Sequence, residues 1–174
     1  MSIYKCSDFI NKKELYCKMK LQLGTKAETL KILYDKGLKK AQVLPQFMFT
    51  VLQWQTATKD ILEQFTKLAW NKSVIVRSSA IDEDTSMSSQ AGRYESIANV
   101  YGKDAFYQAV EAVIKSYDDG DLSNQVLVQP MLENVKFCGV AFTLDPNTLG
   151  NYYVINYDKT GSTDSVTSGC GSTN

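Results

Sequence analysis

The 174-residue sequence contains no histidine. That absence removes Ser-His-Asp and Cys-His nucleophile systems, most zinc sites and every histidine general base together. Chemistry that works by positioning and charge neutralisation survives it, phosphoryl transfer above all, because such chemistry asks for Lys, Arg, backbone N–H groups and metal-binding carboxylates. Cysteine is sparse as well: Cys6, Cys17, Cys138 and Cys170 stand far apart with no C-x-x-C spacing. This argues against a zinc site and, in a reducing compartment, against a disulfide framework. The first eight residues carry no apolar core of signal-peptide length, and no later run is long and apolar enough to span a bilayer. A cytoplasmic location without a membrane partner is therefore expected. Neither charge is in excess, since Lys+Arg 19 balances Asp+Glu 19. The total offers no broad attraction for nucleic acid or an anionic surface, so any anion must be held locally. A hydrophobic content of 44% is ample for one medium domain or two small lobes.

The most informative stretch is Val74-Ile75-Val76-Arg77-Ser78-Ser79-Ala80, followed by Ile81-Asp82-Glu83-Asp84. A short β-branched run reads as a buried strand, so Arg77 carries a permanent charge to the rim of a core, where it needs an anion. Two readings stay open: the anion is a ligand, or Arg77 pairs internally with Asp82, Glu83 or Asp84. The polar segment from Ser78 to Gln90 is too long for a tight connection, which suits a binding loop.

The spacing of Leu30, Leu33 and Tyr34 predicts a helix from about Lys26 to Lys36 that stops at Gly37. Thr25 and Glu28 form a T-x-x-E capping box at its entry, where free N–H groups and the helix dipole favour an anion. Lys26 is thus a phosphate-binding candidate, against the commoner fate of a solvated lysine. Residues 47–51 read as a strand and 56–70 as an amphipathic helix with Ile61, Leu62, Phe65, Leu68 and Ala69 inward. Residues 96–101 read as a strand and 104–117 as a helix burying Phe106, Ala109, Val110, Val113 and Tyr117. The cluster Asp118-Asp119-Gly120-Asp121 lacks the pattern of a calcium loop and is read as a solvated turn. Residues 125–132 and 137–143 are expected to form a hairpin, with 152–157 as a third strand. Pro130 cannot donate to a ladder, so the strand should kink or lie on an edge near residues 129–132, leaving peptide groups for a base. The Gly161 to Gly169 segment reads as a second phosphate-facing loop or a loose end.

Taken together, Gly24-Thr25-Lys26, Val76-Arg77-Ser78-Ser79-Ala80, Ala91-Gly92, Val128-Gln129-Pro130-Met131 and Gly139-Val140-Ala141-Phe142-Thr143-Leu144-Asp145-Pro146 resemble, in order and spacing, the N-terminal nucleotide-binding domain of the phosphoenolpyruvate synthase and pyruvate phosphate dikinase family. The resemblance implies an α+β, ATP-grasp-like domain of two lobes, here C-terminally incomplete, with residues 1–102 as the first lobe and 103–174 as the second. It implies an enzyme that passes a phosphoryl group from ATP through a phosphohistidine to a small acceptor, releasing AMP and phosphate. Lys26 and Arg77 would be catalytic and phosphate-binding, Gly92 would let the backbone approach the nucleotide, and Ser96 would add a hydroxyl. Gln129 and the peptide groups of Met131 and Leu132 would sit at the adenine edge. No metal ligand is assigned within the chain: the ligands for Mg2+ and the phosphohistidine domain are expected elsewhere in the full-length protein. Thr25 stands where the family usually has a second glycine, and Lys159-Thr160-Gly161-Ser162 replaces a Gly-Leu-Gly-Glu segment. The Gly161 to Gly169 segment also resembles a subgroup tied to surface or capsule polysaccharide, including an L-glutamine kinase. Pyruvate and L-glutamine are both acceptors of the wider family. The alternative, from a different class, is a stand-alone nucleotide-binding or regulatory module that transfers no phosphate.

Overall fold

The computed structural model describes residues 24–68, 72–81, 84–85, 88–89, 94–145 and 148–159. Three helices and eight strands occur among them: α1 (Lys26–Lys36), β1 (Phe47–Thr50), α2 (Val51–Lys67), β2 (Val74–Ser79), β3 (Asp84–Thr85), β4 (Ser88–Ser89), β5 (Ser96–Val100), α3 (Lys103–Lys115), β6 (Gln125–Pro130), β7 (Cys138–Phe142) and β8 (Val154–Asp158). The fold class is mixed α+β, as expected. A four-stranded antiparallel sheet in the order β1-β6-β2-β5 forms the centre, and β3-β4 and β7-β8 are separate two-stranded pairs.

One face of the sheet is apolar and covered by α2 and α3. Phe49, Val74, Val76, Val100, Val126 and Val128 pack there against Trp54, Ile61, Phe106, Val110 and Val113. The 3.6-residue spacing of Phe106, Ala109, Val110 and Val113 turns all four inward, and the Trp54 indole N–H ties α2 to α3 through Glu111 Oε1 at 2.6 Å. Because side chains alternate along a strand, Ile75, Arg77 and Ser79 on β2 and Gln125, Leu127 and Gln129 on β6 point to the opposite face. Here the sheet meets the start of α1.

Several expectations need correction. The second helix starts at Val51, not near residue 56, because Thr50 caps it: Thr50 Oγ1 accepts Gln53 N–H at 3.1 Å, and Gln53 Oε1 accepts Thr50 N–H at 2.8 Å. It kinks at Ala57 (φ −137°, ψ 34°). The hairpin expected between residues 125–132 and 137–143 does not form. Val126, Leu127 and Val128 are each 0% exposed, and a strand apolar on both sides belongs at the centre of a covered sheet. β6 accordingly pairs with β1 and β2, while β7 pairs with β8. Pro130 therefore ends an internal strand rather than lying along an edge strand. The register with β1 stops at Val128, so Pro130 faces β2 alone, where its missing N–H costs least.

With residues 1–102 expected as a first lobe and 103–174 as a second, α3 and β6 nevertheless belong to the same layered unit as β1, β2 and β5. The packing has no break between 102 and 103. The β7-β8 pair leaves Phe137, Ile155 and Tyr157 more than 60% exposed. The acidic turn is exposed as expected; the Ser123 hydroxyl, and then its N–H, hold the Asp121 carboxyl below the usual range. Asn124, fully buried, anchors this turn by donating to both Asp119 oxygens and accepting Ile81 N–H.

Candidate functional site

The face opposite α2 and α3 gathers most of the polar residues singled out in the sequence. Across it runs one row set by register: Met48 on β1, Leu127 on β6, Arg77 on β2 and Ser96 on β5. Gln129 lies two residues along β6 from Leu127, opposite Ile75, and is 6% exposed. Ser96 is exposed and directly across from Arg77.

Arg77 brings its charge to this face, and among the described residues no anion meets it. Its Nε is buried and has no hydrogen-bond partner, and among the described residues no carboxylate forms an ion pair with it. Asp82 and Glu83, which the sequence offers as internal partners, lie outside the described residues, as does the side chain of Asp84. A buried donor left unpaired is costly.

Lys26 approaches from α1. Its Nζ donates to the carbonyl of Ser78 at 3.3 Å, the residue that follows Arg77. The α1 entry lies against the same face: Ala27 N–H donates to Ser79 Oγ at 2.9 Å, and Gln125 joins both Thr25 and Glu28. The expected capping box is present, with Glu28 N–H donating to Thr25 Oγ1 and Thr25 N–H to Glu28 Oε2. One part of the expectation fails, however. The N–H groups of Ala27 and Glu28 are satisfied by the protein itself, so these two amides are not open to a ligand.

At the far end of β6 the expected adenine-side peptides divide. Met131 N–H donates to Ser73 O at 2.9 Å and is thereby used within the fold, whereas Leu132 is 59% exposed just beyond the strand. Gly92, expected at the backbone approach to a nucleotide, lies outside the described residues, as does the segment from Gly161 onward. Among the described residues no group of three or more Asp, Glu, Cys or His side chains is placed to hold a metal, and no helix is long and apolar enough to cross a membrane.

Two contributors escaped the sequence reading. Ser79 belongs to the segment read as a binding loop, but its Oγ accepts Ala27 N–H within the fold. Gln125 looked like the first residue of an apolar run, and no local signal marks it, because its partners are 97 and 100 positions away. The Thr50–Gln53 cap also escaped that reading, although the T-x-x-Q pattern of residues 50–53 is a local signal that could have found it.

The family model described as pyruvate phosphate dikinase, AMP/ATP-binding domain, matches residues 4–168. No curated protein matches the chain.

Proposed function

Since this chain belongs to the pyruvate phosphate dikinase AMP/ATP-binding domain family, we propose that the sheet face bearing Arg77 receives the phosphates of ATP for a dikinase-type phosphotransferase. The observation that carries this reading is the buried, unpartnered Nε of Arg77 beside the lysine that reaches Ser78 O. A guanidinium and an ammonium suit a polyphosphate differently: the first is a planar fork that pairs two oxygens, the second a compact point charge. Held in a partly buried site, both would offset charge that builds on a transferring phosphoryl group. Ser96 would add a hydroxyl across from Arg77. With Met131 N–H already engaged, contact with the base would fall to Gln129 and the peptide of Leu132. Gly92 keeps its proposed role of close backbone approach.

In the full reaction we place the acceptor among small molecules such as pyruvate or L-glutamine, reached through a phosphohistidine on another domain, with AMP and phosphate released. This chain has no histidine and would not carry that intermediate. Magnesium, held by ligands outside this segment, would share in neutralising the phosphates. The ATP-grasp-like pairing of this unit with a further lobe, the cytoplasmic location and the L-glutamine-kinase-like subgroup belong to the same proposal.

Calorimetric titration of ATP with magnesium into the protein and its Arg77→Ala variant tests it. No carboxylate among the described residues is left unpaired by the substitution, so the fold should persist while ATP affinity is lost. Unchanged affinity would count decisively against the assignment. A binding module that transfers no phosphate predicts the same titration but no AMP release when a longer protein containing the proposed phosphohistidine domain is given pyruvate or L-glutamine.

A further inference from the structure

Both halves of the α1 capping box are held by one side chain. Gln125 is 8% exposed; its Oε1 accepts the Thr25 hydroxyl at 2.7 Å, and its Nε2 donates to Glu28 Oε1 at 2.8 Å. Thr25 and Glu28 in turn hold each other's backbone N–H groups. One residue along α1, Ala27 donates its N–H to Ser79 Oγ, and Ser79 is the register partner of Gln125. From the other side of the sheet, the Tyr117 hydroxyl accepts Ser79 N–H at 3.2 Å and donates to Gln125 O, locking the two strands where α1 lands. Thr25, Ala27, Ser79, Tyr117 and Gln125 are all at most 9% exposed.

A buried polar cluster of this kind admits one geometry, since any slip leaves donors and acceptors unpaired in a dry setting. An apolar seam in the same place would tolerate sliding. The distinction matters for Lys26, which lies between the two pinned residues Thr25 and Ala27: turning α1 by a single residue would swing it by about 100° around the helix axis. On the strand side, Arg77 stands two residues before Ser79 on the same face. We infer that Gln125 is a positioning residue for the nucleotide site, fixing the first turn of α1 so that Lys26 is delivered beside Arg77. Gln125 itself does not touch the ligand. The inference rests on the reading of Lys26 and Arg77 as phosphate-binding cations.

Titrating ATP with magnesium into a set of variants separates this role from a merely structural one. Gln125→Met keeps length and charge while removing both polar atoms, and it should weaken binding about tenfold, the size of a typical coupling between contacting residues. Introduced together with Lys26→Ala, the same change should cost no further affinity, because the group it positions is gone. Equal losses in both backgrounds, or unchanged affinity for Gln125→Met alone, overturn the inference. Should Gln125→Met fail to fold, the exchanged pair Glu28→Gln with Gln125→Glu preserves every hydrogen bond and the net charge. It should bind within about threefold of the parent, whereas Gln125→Glu alone sets two carboxylates face to face and should not. An exchanged pair that folds but binds no better than Gln125→Glu also overturns the inference. Failure of the underlying reading shows up separately: Lys26→Ala and Arg77→Ala would then each leave ATP affinity unchanged, sinking both proposals.

Discussion

Lys26 Nζ donates to Ser78 O at 3.3 Å, joining the first turn of α1 to the strand that carries Arg77. The residues are 52 positions apart, and the contact puts an ammonium at the backbone of the residue next to Arg77, whose buried Nε has no partner. A lysine in a first helical turn opposes the helix dipole, a penalty that diminishes when an anion binds nearby.

Lys26→Ala should therefore weaken ATP binding by about tenfold to a hundredfold, the range for a hydrogen bond to a charged group. Helical content by circular dichroism should be unchanged, since Ala is a better helix former than Lys and the Thr25–Glu28 cap is untouched. Binding by the variant should also respond less steeply to added salt. Affinity equal to that of the parent would remove Lys26 from the site.

The opposite face of the sheet should be separable from binding. Phe106 is 0% exposed, stacked on Phe65 with ring centroids 3.8 Å apart and set edge-on to Trp54 at 6.3 Å. Phe106→Ala should cost about 3–5 kcal/mol in urea unfolding, through lost transfer energy and the cavity left behind. The folded fraction should keep its ATP affinity, because Phe106 and Arg77 lie on opposite sides of the sheet. Loss of affinity in folded Phe106→Ala would show that the helix layer shapes the binding face.

How much of this was legible depended on the range of the interaction. The α1 cap, the stop at Gly37 and the inward stripe of α3 follow from residues three or four apart, where periodicity and capping chemistry act directly. The place of β6 did not follow. Its run of Gln125 to Leu132 abuts another apolar run only five residues on, which suggests a hairpin, whereas the choice of β1 and β2 as neighbours is made by burial on both faces. The site divides along the same line. Arg77 was readable as a charge carried by a strand, although the strand runs two residues past it to Ser79 rather than ending there, and Lys26 was readable as a cation at a helix mouth. That Ser79 and Gln125 would take up the polar groups of the α1 entry depends on long-range register, which no local window contains.

Gly24 permits the carboxylate of Glu28 to close over the start of α1. A Cβ at Gly24 would lie 2.0 Å from Glu28 Oε2 and 3.1 Å from Glu28 Cβ. The closest atom is the end of a flexible side chain, so Gly24→Ala can be accommodated by turning the carboxylate away. That movement costs the acceptor of Thr25 N–H at 3.0 Å and strains the bond from Gln125 Nε2. Each such hydrogen bond contributes about 1 kcal/mol net, so Gly24→Ala should lower stability in urea by about 1–2 kcal/mol. If the clash with Glu28 is the cause, adding Gly24→Ala to a Glu28→Ala protein should cost almost nothing more, because the obstructing carboxylate has gone. Equal losses in the two backgrounds would place the requirement for glycine in the backbone of residue 24 rather than in its approach to Glu28.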